Sequence, residues 1–404
     1  MKDIAVIGGG AAGLFFAVAV KRIKPDVSVV LYEARDRVGK KIAVTGNGRC
    51  NISNAAALPA NYHGDRELAA KCLDTFGYER QKAFFESLGV PFKLEGEKAF
   101  PRSLQAASVV DALRFAAEES GVELRVGLAV ETVKRDGEIF ICNTEEGSER
   151  FRSVVVATGG KAGGKLGNES GYDILRSLGH KIEPVYPGIV QLKTDNAVVR
   201  QLKGIKVDAV VKMSSSLGNR SEFGEVLFCD YGLSGPPILQ VSRLAIGEHP
   251  IVTLDLVPDY DKEVLGSMLF EKVKRYPDRP ISELFTGFLH KRIGQVVTKL
   301  CGFPLDGVFS DLCEKDIMVI TDHLKCMRFK VQGTTGFENA QVTVGGASTA
   351  QFFDNLMSKK AKGLFAVGEV LNVDGDCGGY NLAFAWSSAY VAANAAVSYL
   401  SDKK

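Results

Sequence analysis

Short apolar runs alternate with amphipathic stretches from the first residues onward. Ile4-Ala5-Val6-Ile7 is an uninterrupted apolar run of strand length, and Gly10–Ile23 carries apolar residues at helical spacing. Val27–Glu33, rich in β-branched residues, reads as a second strand, so the chain opens on the βαβ unit of a parallel sheet. Arg66–Leu88 and Ser103–Ser120 keep a helical period. Val122–Val133 and Ile139–Asn143 alternate as strands do, and Arg152–Ala157 is a continuous apolar strand running into Thr158-Gly159-Gly160.

Past Pro187 the pattern changes. Ile189–Leu192, Ile205–Met213 and Glu225–Phe228 predict short strands of a small antiparallel barrel or sheet. Lys262–Arg275, Ile281–Leu300 and Leu305–Leu312 predict helices punctuated by Pro277, Pro280 and Pro304. Phe329–Gly333 and Gly363–Val367 read as strands leading back to the first sheet. One discontinuous domain, 1–190 with 333–404, is therefore expected to carry two insertions: a β domain (191–260 with about 325–332) and a helical cap (261–324). The C-terminal run Ala383–Leu400 approaches the length of a membrane span, but Ser387, Ser388, Asn394 and Ser398 interrupt it, so a buried helix is expected and no membrane partner. The apolar stretch at the N-terminus is too short for a signal segment.

Glycine placement supplies the candidate chemistry. The chain has 43 glycines in 404 residues, and they cluster. Gly8, Gly10 and Gly13 of Gly8-Gly9-Gly10-Ala11-Ala12-Gly13 satisfy GxGxxG between a predicted strand and a predicted helix. The first glycine allows the tight turn, the second lets backbone approach a pyrophosphate, and the third lets helix and strand pack closely. Glu33 follows at a strand end, where a carboxylate accepts from ribose hydroxyls and repels a 2′-phosphate. Three further clusters suit a flat heterocycle better than a nicotinamide nucleotide alone. They are Thr45-Gly46-Asn47-Gly48-Arg49-Cys50-Asn51-Ile52-Ser53-Asn54, the turn Thr158-Gly159-Gly160, and Gly368-Glu369 with Gly378-Gly379-Tyr380-Asn381 opening the last helix. FAD is the expected resident dinucleotide, bound without a covalent link. The fold class is α/β: a Rossmann-like, FAD-binding, doubly wound domain with an inserted β-barrel-like domain and a helical cap.

Charge and cysteine usage narrow the partners. Fifty Lys and Arg against 48 Asp and Glu give a net charge of +2, with no basic cluster beyond pairs such as Lys40-Lys41 and Lys359-Lys360, so no nucleic-acid partner is expected. The eight cysteines show neither CxxC nor zinc spacing, which fits reduced thiols in the cytoplasm and no metal site. Cys50 lies beside Arg49, which would depress its pKa, but no second cysteine is adjacent, so packing beside the cofactor is its expected role. His180 and His290 are expected to be surface or capping residues. Spacing alone assembles no acid/base pair, and the catalytic residues stay unassigned.

The segments GGGAAG, GKKIAVTGNGRCNISN, GEVLFCDYGLSGPPIL, QVTVGGAS and GLFAVGEVLNVDGDCGGYNLAFAWSS, in this order, resemble a bacterial flavoprotein family. It includes aminoacetone oxidases and 3-dehydro-bile-acid Δ4,6-reductases, and the resemblance spans essentially the whole chain. It implies that Gly8, Gly10, Ala12 and Gly13 cradle the FAD pyrophosphate, and that Glu33 holds the adenosine ribose. Val130 would meet the adenine edge through its backbone. Lys40, Lys41, Thr45, Asn47 and Arg49 would lie along the ribityl chain and isoalloxazine, with Thr158 and Gly159 at a second contact. Glu369, after Gly368, would hold a ribityl hydroxyl, and Gly379, Tyr380, Asn381 and Leu382 would present amides to the flavin N1–C2 carbonyl. The sequence departs from the family at Ala347, where Val is usual, at Asn372, where Asp is expected, and at Phe228-Cys229-Asp230, which replaces Phe-Thr-His. The last departure bears on the substrate.

The implied activity is FAD-dependent hydride transfer through flavin N5 on a small-molecule substrate. The family holds both oxidases of small amines and reductases of conjugated enones. A large insertion suits a bulky, steroid-like unsaturated substrate, which favours a reductase. Only one dinucleotide fingerprint is present, so an NAD(P)H donor would bind transiently in the substrate's own pocket. An amine oxidase, a flavoprotein acting on RNA and a simple NAD dehydrogenase are the alternatives.

Overall fold

The computed structural model describes residues 1–402. It divides into two compact units, one joining Met1–Pro187 to Ala340–Lys404 and the other comprising Gly188–Asn339.

The first unit is built on a seven-stranded sheet. At its centre β1 (Lys2–Ile7) lies parallel to β2 (Val29–Glu33) on one side and to β3 (Gly147–Val156) on the other. Glu123–Val126 adds in parallel outside β2, and β4 (Leu364–Ala366) pairs in parallel with the last three residues of β3. The early part of β3 pairs antiparallel with Ile139–Thr144, which pairs with Thr132–Asp136. The apolar runs seen in the sequence are the buried parallel strands: Ile4, Ala5, Val6, Val154, Val155 and Val156 are wholly buried. Between β1 and β2 runs helix α1 (Ala11–Ile23), which packs on the C-terminal helix α2 (Tyr380–Ser401).

Helix α2 is buried along most of its length, and no helix among the described residues is long and apolar enough to cross a membrane. Two of the serines that interrupt its apolar run, Ser387 and Ser388, satisfy buried backbone. Ser387 Oγ donates to the Phe76 carbonyl at 2.7 Å, and Ser388 Oγ accepts from the Gly368 N–H at 3.0 Å.

Tertiary contacts override local periodicity in three places. The helix expected over Arg66–Leu88 is two, Arg66–Thr75 and Tyr78–Ser87, because extended Gly77 breaks it. The break turns Phe76 inward, where it stacks on Tyr390 at 4.2 Å and meets Phe15 edge-on at 5.3 Å. Val122–Val133 is not one strand: Gly127, at φ +73°, ends the Glu123–Val126 strand. The chain then follows the end of β2 through bonds from Gly127 N to the Arg35 carbonyl (2.6 Å) and Leu128 N to the Glu33 carbonyl (3.0 Å). In the second unit, Ile281–Leu300 is a short 3-10 turn followed by a helix only over Lys291–Leu300, and Leu305–Leu312 has only a 3-10 turn at Phe309–Asp311. Gly287 has a positive φ, which helical runs exclude.

The second unit contains a closed six-stranded barrel. In ladder order its strands are Leu192–Thr194, Gly232–Ser234, Gly218–Phe228, Lys206–Ser215, Ile251–Asp255 and Met327–Thr334. The ladder runs on to Thr334 opposite Leu192, so 333 and 334, expected in the other domain, belong to the barrel. Helices Lys262–Arg275, Lys291–Leu300 and Glu314–Lys325 share one apolar core with the barrel strands, so helices and barrel form a single unit.

His180 corrects an expectation, for it is buried in the first unit. Its ring stacks on Phe352 at 4.6 Å, and Nε2 lies 2.9 Å from Ser358 Oγ. That oxygen also accepts from the Lys360 and Ala361 N–H groups, while His180 Nδ1 is buried without a hydrogen-bond partner. Burial, with Lys360 nearby, lowers the ring's pKa from an ordinary 6.5 to about 4. The folded protein therefore resists protonation where the unfolded chain accepts it. The stability tied to neutral His180 is complete above pH 6.5 and is lost as pH falls toward 4, by roughly 1.4 kcal/mol per pH unit at most. Thermal unfolding at pH 7 and pH 5 should show a fall in Tm that His180→Gln reduces; an identical fall in the variant would count against this account.

Candidate functional site

A cleft runs along the carboxyl ends of the parallel strands in the first unit. This is where doubly wound sheets bind ligands. It is walled by Glu33, Arg35 and Leu128–Val130, and by Gly8–Ala12 and Ala157–Gly159. Lys40–Ile42, Thr45, Glu369, Asn381 and Leu382 complete it.

The glycine turn has steric reasons for its composition. Gly8 has φ +108°, and a Cβ there would lie 2.6 Å from the Ala157 carbonyl oxygen. A Cβ on Gly13 would lie 1.9 Å from the Gly8 oxygen, so Gly13 is the helix–strand contact and stands behind the cleft wall. Gly10 has open space before it. Helix α1 begins at Gly10 with no side-chain cap and no acidic residue in its first turn, so its leading amides and positive dipole end face the cleft unshielded. That is an anion site of pyrophosphate type.

Glu33 is held rather than free. One carboxylate oxygen accepts from Gly9 N–H and the other from Arg35 N–H, both at 2.9 Å. A carboxylate has about four acceptor positions, so each oxygen retains room for a hydroxyl. Arg35 in turn donates to the carbonyls of Lys165 (2.7 Å) and Gly167 (3.4 Å), tying the loop after Gly159 to the strand end. Further along, Lys41 Nζ and Glu369 Oε2 form an ion pair at 2.7 Å, and Glu369 Oε1 accepts from Thr343 N–H at 2.9 Å.

Among the residues singled out from sequence, the cleft brings together Gly8, Gly10, Ala12, Glu33, Lys40, Lys41, Thr45, Val130, Thr158, Gly159, Glu369, Asn381 and Leu382. Gly368 and Gly379 lie behind it: a Cβ at 368 would meet Ala12 Cβ at 2.9 Å, and one at 379 the Ser53 oxygen at 2.4 Å. Tyr380 is buried edge-on against Tyr62. Asn47, at φ +56°, shapes the turn and does not line the cleft. Arg49 points elsewhere, pairing with Glu95 at 2.5 Å and covering the Phe100 ring at 4.4 Å. Cys50 is therefore not activated by it. Burial pushes that thiol up to about 12, and burial also raises Cys377.

Sequence reasoning missed Leu166, Asn168, Ser170 and Gln341 as cleft residues. The dense glycines of Gly159–Gly171 were the available signal for the loop; Gln341 had none. It also missed that His63 Nε2 lies 3.0 Å from Asp376 Oδ1, a pair made when Tyr62–Gly64 pairs with Val373–Gly375.

The family described as the HI0933-like protein Rossmann domain matches residues 2–395. The chain belongs to that family. This HI0933-like protein is 36% identical over 409 residues, 98% of its length and 99% of the relative's, to a 3-dehydro-bile acid delta(4,6)-reductase of Clostridium scindens. It is 29% identical over 400 residues, 97% of each chain, to the ribosomal RNA dihydrouridine synthase of Escherichia coli. Among solved structures, a 3-ketosteroid delta1-dehydrogenase from Sterolibacterium denitrificans superposes with TM-score 0.52 at 12% identity, covering 98% of this chain and 99% of that one. The FrdA chain of E. coli quinol fumarate reductase gives 0.52 at 16%, covering 100% and 71%. These two share the fold. The HI0933-like protein is an FAD-dependent oxidoreductase, and the uncapped α1 terminus, the side-chain-free cradle at Gly8–Gly10 and the anchored Glu33 fit that dinucleotide.

Proposed function

We propose that this protein is an NAD(P)H-linked reductase that saturates a carbon–carbon double bond conjugated with a carbonyl on a bulky, steroid-like small molecule. The observation that carries this reading is the 36% identity, end to end, with a bile-acid reductase. The names of the curated relatives support the reaction class as well. A 3-oxo steroid unsaturated at C4 and C6 and a uracil ring each present an alkene in conjugation with a carbonyl; one relative is named for reducing such double bonds and the other for making the dihydro product.

FAD, when bound, supplies a two-electron carrier that accepts hydride from one partner and delivers it to another. Glu33 would hold the adenosine ribose, the backbone of Val130 the adenine edge, and the amides of Gly10–Ala12 the pyrophosphate, with Thr158 and Gly159 opposite. Lys41 and Glu369 would face the ribityl chain. The amides of Asn381 and Leu382, at the uncapped start of α2, would place the positive end of a 22-residue helix against the flavin pyrimidine. That field favours the negative charge of the reduced state. With a single dinucleotide fingerprint in the chain, NAD(P)H and substrate would alternate in one place, giving ping-pong kinetics.

Anaerobic stopped-flow tests the reading. NADH or NADPH should bleach the flavin, and a 3-oxo-Δ4,6-steroid should restore its colour faster than air-level oxygen does. If neither nucleotide bleaches it, and a primary amine does with peroxide released on reoxidation, the protein is an amine oxidase. If uridine in ribosomal RNA restores the colour and the steroid does not, RNA is the substrate.

A further inference from the structure

Three residues that line the cleft, Leu166, Asn168 and Ser170, belong to no part of the dinucleotide fingerprint. They come from the loop that follows Gly159 and runs into the helix Ser170–Ser177.

Both ends of this stretch are tied to the fingerprint. The Arg35 guanidinium donates to the Lys165 and Gly167 carbonyls on either side of Leu166, while the Arg35 N–H is held by the Glu33 carboxylate. At the other end, Gly171 lies so close to Thr158 that a Cβ on it would stand 1.9 Å from Thr158 Oγ1. Thr158 in turn borders Gly8, where a Cβ would stand 2.9 Å from Thr158 Cα. Glu33 and Gly8 are the strand-end carboxylate and the first glycine of the fingerprint, the parts that serve the adenosine ribose and the pyrophosphate turn. Residues 165–170 therefore border the cleft where the adenosine diphosphate half of a dinucleotide belongs.

The side chains there are uncommitted. Asn168 Oδ1 accepts from the Ser170 N–H at 2.8 Å, which aims the carboxamide and leaves Nδ2 as a donor with no acceptor among the described residues. Ser170 Oγ likewise bonds nothing among the described residues. Adenosine diphosphate offers what these groups lack: phosphate oxygens, ribose oxygens and ring nitrogens as acceptors, and a flat ring for the apolar Leu166.

We propose that residues 165–170 form a wall of the adenosine diphosphate half of the site, with Asn168 Nδ2 and Ser170 Oγ donating to that half and Arg35 as the positioning residue that holds the wall in place. The inference rests on the reading of the cleft as the FAD site. The Arg35 bonds and the Asn168 turn set the donors before the cofactor arrives, so little order is lost on binding.

The test titrates apoprotein with FAD and, in competition with it, with ADP. Ser170→Ala removes a hydroxyl that bonds nothing in the free chain. Its apoprotein should melt as the natural one does, while FAD and ADP each bind about fivefold more weakly. Asn168→Asp keeps the acceptor for the Ser170 N–H, replaces the donor by an oxygen and brings a negative charge near phosphate. Both ligands should lose at least about tenfold. Arg35→Met should weaken FAD and ADP by the same factor, and in its background Ser170→Ala should cost nothing more. A loss confined to FAD, with ADP unchanged, would assign these side chains to the flavin half and overturn the proposal. Unchanged affinities in Ser170→Ala and Asn168→Asp would overturn it too, as would ADP that does not compete with FAD in the natural protein. Full additivity of Arg35→Met and Ser170→Ala would remove Arg35 from the positioning role. Failure of the natural protein to bind FAD at all would instead sink the FAD reading of the cleft.

Discussion

Gly13→Ala should yield a protein that is purified without FAD and unfolds at lower temperature. The added Cβ would lie 1.9 Å from the Gly8 carbonyl oxygen and 3.3 Å from Ala157 Cβ. Neither neighbour is the far end of a flexible side chain, so relief requires α1 to move away from β1. Overpacking of this kind costs typically 1–3 kcal/mol. The effect on FAD should be larger than that figure suggests, because the displaced element carries the pyrophosphate amides. A loss of three kcal/mol of binding is roughly a hundredfold in affinity. Absorbance of the purified protein near the flavin bands and apoprotein titration are the measurements. A yellow Gly13→Ala protein with natural affinity would show that α1 and β1 are not in the contact described.

Glu33→Ala should weaken FAD binding on the order of a hundredfold. The ribose acceptor alone is a charge-assisted hydrogen bond contributing roughly 1.5–3 kcal/mol. The carboxylate also accepts from Gly9 N–H and Arg35 N–H, so its loss leaves two cleft-wall amides without a partner and loosens the turn that approaches the pyrophosphate. Arg35 is the residue that straps Lys165 and Gly167 to the strand end, so the disturbance should spread to that loop. Glu33→Gln keeps one acceptor oxygen and should lose only about tenfold. Titration of the three apoproteins gives the order natural, Gln, Ala. Equal affinities in all three would remove Glu33 from the cofactor site.

The two predictions rest on different kinds of knowledge. The expectation that Gly8, Gly10, Gly13 and Glu33 serve a dinucleotide follows from local rules, because a tight turn, a close helix–strand contact and a strand-end carboxylate are all fixed within about thirty residues of chain. The parallel strands were equally legible: a strand buried on both faces must be apolar throughout, as Ile4–Ile7 and Val154–Val156 are. Ser387 and Ser388 pointed to a helix buried in protein, and each bonds a buried backbone group.

Long-range contacts decided the rest. Gly77 weakens a helix by about 1 kcal/mol without forbidding one; the break there also lets Phe76 reach Tyr390 and Phe15, far away in sequence. Arg49 was placed beside a flavin by the family resemblance, yet Glu95 and Phe100 take its guanidinium. His180 gives no sign in its neighbours Gly179 and Lys181 that it will be buried; the stacking ring and the hydroxyl come from Phe352 and Ser358. Lys41 and Glu369, 328 residues apart, meet in an ion pair that no spacing rule anticipates. Sequence sets which groups the backbone can present locally, whereas their satisfaction depends on residues that only the completed fold brings near.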